Sequence, residues 1–302
     1  MSGAFKIFPA ARFSVACDGF SGVLYKNARK NSRQKALIIL GGSSGGRISM
    51  LPIALYFCRR GFDSLILDYH GKKGLPGHLK DQPVETVGKA ADRLKNDGYE
   101  KIGAYGLSMG TCIAVLAAVH FPELISCLVL VSPMYMVTQA ERRNDSGVLD
   151  GSSFALNGEP VPYAEWNMSS LRFNIRYFTD CIKHRDLYCR GMLEQTYANS
   201  SEPRAILPVE KIRGSILFVS GSLDGMIPTN ETCEIFMKTL DETHFPYPHR
   251  HINFDHLGHA IIPLDSPLLR VFRSERLYPR EGQNEKRQAY REIVGFLKYE
   301  WQ

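Results

Sequence analysis

The sequence predicts an α/β fold: a mostly parallel central sheet flanked by helices, interrupted by one lid- or cap-like insert. Three observations predict it. Short, continuously apolar, β-rich runs alternate with stretches of helical spacing. Glycines and prolines fall at the junctions rather than inside the runs. One long segment late in the first half breaks the rhythm, and alternation resumes after it.

The elements follow in order. Residues 36–40 are fully apolar and end in Gly41-Gly42, as a strand buried on both faces would. Residues 49–60 have helical spacing, and Gly61 ends them. A strand is predicted at 64–69, a helix at 84–96 with Gly98 just past its end, and a strand at 101–107. An apolar helix over 109–120 stops before Pro122, and 126–131 is another apolar strand. Later come a strand at 215–220, a helix at 230–240, a last strand at 250–254 and a final helix at 284–298. Upstream, the apolar segments 5–8 and 22–24 read as edge strands of the same sheet. The insert spans 133–209. It carries Gly147, Gly151, Gly158, Pro160 and Pro162, and it is rich in aromatics, including Tyr135, Trp166, Phe173 and Tyr197. No steady strand–helix pattern is legible there. We expect one domain over 1–302 with 133–209 as a lid or cap.

Composition narrows the function classes. The chain has 302 residues, 44% of them hydrophobic, and a net charge of +6. Its basic residues are scattered, apart from pairs such as Lys72-Lys73 and Arg142-Arg143, so the pattern argues against nucleic acid as a partner. The seven cysteines form no C-x-x-C pair, which points to a reducing compartment. Cys58, Cys112 and Cys127 lie in apolar runs and read as small core residues. No charged-then-apolar leader and no apolar run long enough to span a membrane is present. The expectation is a cytoplasmic protein with a small-molecule partner, no cofactor and no membrane span. The sequence does not specify an oligomeric state.

The chemistry centres on Gly106-Leu107-Ser108-Met109-Gly110, a Gly-x-Ser-x-Gly run between a predicted strand and a predicted helix. A serine on so tight a turn is lifted above the sheet, and its neighbours two positions away must be small. The turn also places it at a helix N-terminus, where the Met109 N–H can face a developing oxyanion. A serine hydroxyl needs a base. Asp224, after the strand ending Gly221-Ser222-Leu223, is the expected acid, with Asp255 a weaker rival. Among His249, His251, His256 and His259, the last follows Gly258 on the loop after the final strand and is the expected base, ahead of His256. The spacing matches no H-E-x-x-H type metal site. The second oxyanion donor is expected from the loop Gly41-Gly42-Ser43-Ser44-Gly45-Gly46, with Ser43 first and Ser44 second. A dinucleotide-type glycine loop is the competing reading there, but neither G-x-G-x-x-G nor a P-loop lysine is present. Together these residues predict the α/β-hydrolase fold.

On these motifs the chain resembles the C-terminal domain of acyl-CoA thioester hydrolases and of bile acid-CoA:amino acid N-acyltransferase. The resemblance runs from about Leu37 onward. It rests on the Gly-Ser-Ser-Gly-Gly loop, the Ser108 pentapeptide and Asn157-Gly158-Glu159-Pro160-Val161-Pro162. It also rests on Pro208-Val209-Glu210-Lys211-Ile212 and Gly258-His259. The resemblance implies a Ser108–Asp224–His259 triad acting on an acyl thioester. The N-acyltransferases have cysteine where this chain has Ser108, so hydrolysis is favoured over transfer to an amine. Many relatives carry lysine where Met109 stands, and an N-terminal β-sandwich domain that is not expected here. The rivals are a carboxylesterase or peptidase with the same triad, and a non-catalytic ligand-binding member of the fold.

Overall fold

A computed structural model describes residues 7–27, 35–43, 47–142 and 147–301. Eight strands form the central sheet. They are β1 (Ile7–Phe13), β2 (Ser21–Asn27), β3 (Lys35–Leu40), β4 (Asp63–Asp68), β5 (Lys101–Leu107), β6 (Cys127–Val131), β7 (Ser215–Gly221) and β8 (His249–Phe254). Their spatial order is β1-β2-β4-β3-β5-β6-β7-β8. β1 pairs antiparallel with β2, and β2 with β4. Every pairing from β4 to β8 is parallel. The expected edge strands near 5–8 and 22–24 therefore join the sheet, although Phe5 lies outside the described residues.

Parallel strands need crossover helices, and these cover both faces. On one face Ile38, Leu40, Ala104, Leu128, Leu130 and Phe218 pack against helices α2 (Glu85–Asn96), α3 (Met109–His120) and α6 (Thr229–Glu242). On the other, Leu37, Ile39, Val129, Leu217 and Val219 meet α1 (Arg47–Cys58) and α7 (Pro279–Tyr299). Residue parity along each strand decides the face. Ten of the twelve residues of α3 are buried, which explains why its sequence is apolar all round. Gly61 and Gly98 follow α1 and α2 with φ of 95° and 93°, the left-handed stop that their positions predict.

The insert departs from its irregular reading. Gln139–Glu141 pairs antiparallel with Val148–Ser152, and Phe154–Leu156 pairs with Glu159–Pro160 across the Asn157-Gly158 turn. Two helices follow, α4 (Ser170–His184) and α5 (Arg190–Asn199). α4 escapes notice because its inner face buries only Phe173, while Leu171, Ile175, Phe178 and Ile182 are exposed. Its start is marked by Ser169, whose hydroxyl accepts from Arg172 N at 3.4 Å. The last helix also begins five residues earlier than expected, with Pro279 at a position that suits an N-terminal turn.

Candidate active site

Ser108 sits between β5 and α3 with φ 57° and ψ −126°. Such a conformation costs a non-glycine residue of order 1–3 kcal/mol. Its surroundings hold it there. Ser108 N donates to Val131 O at 3.0 Å, and Ser108 O accepts from Thr111 N at 2.8 Å and Thr111 Oγ1 at 2.6 Å. Thr111 Oγ1 in turn accepts from Met134 N at 3.1 Å. A Cβ on Gly106 would lie 2.6 Å from Gly110 O, and one on Gly110 would run into Leu40 O and Gly41 O. The two glycines are therefore required by close backbone approach, as the pentapeptide implies.

Asp224 and His259 are brought together. Asp224 follows β7 and His259 follows β8, the neighbouring strand. His259 Nδ1 lies 2.9 Å from Asp224 Oδ2, with side chains 11% and 0% exposed. Asp224 Oδ1 accepts from Met226 N at 2.8 Å and Ile227 N at 3.0 Å, so the whole carboxylate is engaged. The two loops are tied by Leu223 N donating to Leu257 O at 2.9 Å. Ser132, next to the Val131 that anchors Ser108, donates through Oγ to His259 O at 3.0 Å. Tyr290 OH donates to Ile261 O at 3.1 Å and lies 2.8 Å from Tyr105 OH, which fixes the far side of the histidine loop.

The other histidines are engaged elsewhere. His256 Nδ1 lies 2.7 Å from Glu285 Oε1, and that carboxylate holds its pKa above the ordinary value. His251 Nε2 lies 2.7 Å from Ser220 Oγ, and burial lowers its pKa. His249 faces Asp241 and Tyr247 O. Asp255 is exposed, and the carboxylate at His259 Nδ1 is that of Asp224. Burial pushes the Cys58 thiol up to about 12 and raises those of Cys112, Cys127, Cys189 and Cys233 as well, so none of these is a competing thiolate nucleophile.

The loop after β3 passes directly over the turn that carries Ser108. A Cβ on Gly42 would lie 3.1 Å from Ser108 Cβ and 3.5 Å from Ser108 Oγ. Tyr69 OH donates to Gly41 O at 2.5 Å and to Gly42 O at 3.2 Å, engaging the carbonyls of this loop. Ser43 lines the same cavity as Ser108 and Met109. Met109 is the first residue of α3, so its N–H has no acceptor within the helix. Ser44 lies outside the described residues.

Met134, Glu141, Trp166, Cys189 and Leu193 of the insert, with Met226 and Ile227, complete the cavity wall. Of the insert's aromatics Trp166 is the one that lines it, backed by Phe173 with ring centroids 5.1 Å apart. Glu141 is half-buried and lines the cavity. Burial raises its pKa from 4.5 to about 7. Ser132, Tyr69 and Glu141 are the site residues that sequence reasoning missed. Ser132 and Tyr69 follow sheet strands directly, a placement that marks the active edge of a parallel sheet. Nothing local marks Glu141.

The strand order, the turn at Ser108 and the crevice beyond the strand ends define an α/β hydrolase. The chain belongs to the family described as the BAAT / acyl-CoA thioester hydrolase C-terminal domain, whose profile matches residues 84–278. Fold and family together make it a hydrolase. No curated protein matches it. Among solved structures it is similar to an esterase from Pyrococcus furiosus, with 14% identity, TM-score 0.55, and 99% of this chain and 92% of that chain covered. A dienelactone hydrolase-like promiscuous phosphotriesterase from metagenomic libraries gives 12% identity and TM-score 0.56, covering 99% and 100%. An alpha/beta hydrolase enzyme from a Medee basin deep-sea metagenome library gives 12% and 0.53, covering 96% and 98%. At such identities the likeness is one of fold. No helix among the described residues is long and apolar enough to cross a membrane.

Proposed function

We propose that the chain hydrolyses an acyl thioester of the acyl-CoA type through an acyl-enzyme on Ser108. Ser108 Oγ attacks the acyl carbonyl while His259 Nε2 takes its proton. The tetrahedral intermediate collapses, the C–S bond breaks, and the proton passes from His259 to the departing thiolate. Water, deprotonated by His259, then attacks the acyl-enzyme and releases the carboxylic acid and Ser108. Asp224 holds the imidazole with Nδ1 protonated and stabilises its charged form. The Met109 and Ser43 N–H groups stabilise the oxyanion, where one donor is worth roughly 10²–10³ in rate. We read residues 1–302 as one domain and 133–209 as its cap.

The observation that carries this reading is the buried Asp224–His259 pair, on the loops after adjacent strands, together with a serine held at φ 57°. Family membership supports the thioester. Hydrolysis of a simple carboxylic ester is the second reading, favoured by a cavity wall that, among the described residues, includes no lysine or arginine to meet a CoA phosphate. Steady-state kinetics on acyl-CoAs and matched esters, with wild type and Ser108→Ala, separates them. Higher kcat/KM for the thioesters supports the first reading, and turnover no better than that of the esters replaces it with the second.

A further inference from the structure

We infer that Glu141 and Trp166 form a polar subsite in the cavity beside Ser108, and that the preferred acyl group carries a hydroxyl that reaches it. The inference rests on the reading that this cavity receives the acyl chain.

Glu141 is not a loose surface acid. Its backbone N–H donates to Leu79 O at 3.0 Å and its carbonyl accepts from Leu79 N at 3.0 Å, while its other edge pairs with Val148. The strand is thus held from both sides, and its side chain cannot leave the cavity by drift of the backbone. Apart from Ser43 and Ser108, the remaining wall is apolar: Met109, Met134, Leu193, Met226 and Ile227, with the un-ionised thiol of Cys189.

The carboxyl of Glu141 has no hydrogen-bond or ion-pair partner among the described residues. Three other buried carboxylates do have partners. Asp63 accepts from Tyr99 OH at 2.6 Å, Asp68 from Ser21 Oγ at 2.9 Å and from Arg47, and Asp224 from His259 and two amides. A second polar group is left over in the same wall. The indole N–H of Trp166 is buried and unpaired. An unpartnered, half-buried acid and an unpartnered, buried donor both cost stability, and natural proteins keep few of either. Occurring together in the wall of the nucleophile's cavity, they point to a ligand group that donates to one and accepts from the other. A hydroxyl does both. A methyl does neither, and an ammonium can satisfy only Glu141.

The test uses p-nitrophenyl esters of matched acyl chains ending in methyl, hydroxyl or ammonium, over a series of chain lengths. The leaving group is constant, and kcat/KM ratios within one variant cancel any difference in folded fraction. Wild type should prefer the hydroxyl-ended chain over its methyl-ended match by about tenfold or more at one length. Glu141→Leu should abolish or invert that ratio, and Trp166→Phe should reduce it. Glu141→Gln, which keeps an acceptor, should retain more of it than Glu141→Leu. A wild-type ratio at or below one at every length overturns the inference, as does an unchanged ratio in Glu141→Leu. Turnover that persists in Ser108→Ala strikes the parent reading instead, so the two failures are distinguishable.

Discussion

His259 Nδ1 lies 2.9 Å from Oδ2 of a fully buried Asp224, whose other oxygen is already taken by the amides of Met226 and Ile227. The carboxylate thus has two separable duties, to orient the imidazole and to close the turn after β7. Asp224→Asn preserves the shape but can present an N–H to the imidazole, favouring the wrong tautomer. It should lower kcat by roughly 10⁴ in a protein that still folds. Asp224→Ala should in addition lower Tm, because two amides lose their acceptor. Steady-state kinetics beside thermal melts of both variants check this. Equal melting of the two would remove the second duty.

The histidines can be told apart by substitution. His256 pairs with Glu285 at the surface, where an ion pair is worth little, so His256→Ala should leave kcat/KM within about twofold of wild type. His259→Ala should lose roughly 10³-fold or more. Activity that follows His256 instead would mean the base has been assigned to the wrong loop.

Gly42 tests the proposed oxyanion loop. A methyl there would come within 3.1 Å of Ser108 Cβ and 3.5 Å of its Oγ. Gly42→Ala should therefore lower kcat by roughly tenfold or more, with melting changed by only a few degrees. A drop in Tm with kcat preserved would show that the loop serves packing alone.

Glu141 makes stability depend on pH in a defined direction. Its folded-state pKa, about 7, exceeds the ordinary 4.5, so the folded protein holds this proton more tightly than the unfolded chain. The associated stability is full below about 4.5 and is lost as pH rises through 7. Glu141→Gln should gain little at acid pH and up to about 3 kcal/mol above pH 8, less whatever the cavity's water screens. Urea denaturation at the two pH values checks it. An equal gain at both would mean that Glu141 bears no uncompensated charge.

Much of the fold is legible in the sequence because the strands that carry it are buried on both faces. Runs such as 36–40 and 127–131 are apolar throughout, and the glycines at 61 and 98 stop their helices with positive φ. The strand–turn–helix context of Ser108 is legible too, because close backbone approach demands glycine at 106, against Gly110 O, and at 110, against Leu40 O and Gly41 O. The insert is not. α4 packs on the molecule through Phe173 and leaves the apolar stripe of Leu171, Ile175, Phe178 and Ile182 outside, so its pattern does not mark a core-facing side. Glu141 was invisible because its character comes from a cavity assembled by residues as far apart as Ser43 and Ile227. Loop position alone distinguishes His259 from His256 in the sequence, and the partners of His256 and His251, Glu285 and Ser220, lie 29 and 31 residues away along the chain.

The claim on which all else depends is that Ser108 is the nucleophile. Reaction with a fluorophosphonate, followed by intact mass and peptide mapping, measures it directly. The account predicts one adduct, on Ser108, absent from Ser108→Ala and formed far more slowly by His259→Ala. An adduct on another residue, or none on the folded wild-type protein, would contradict it.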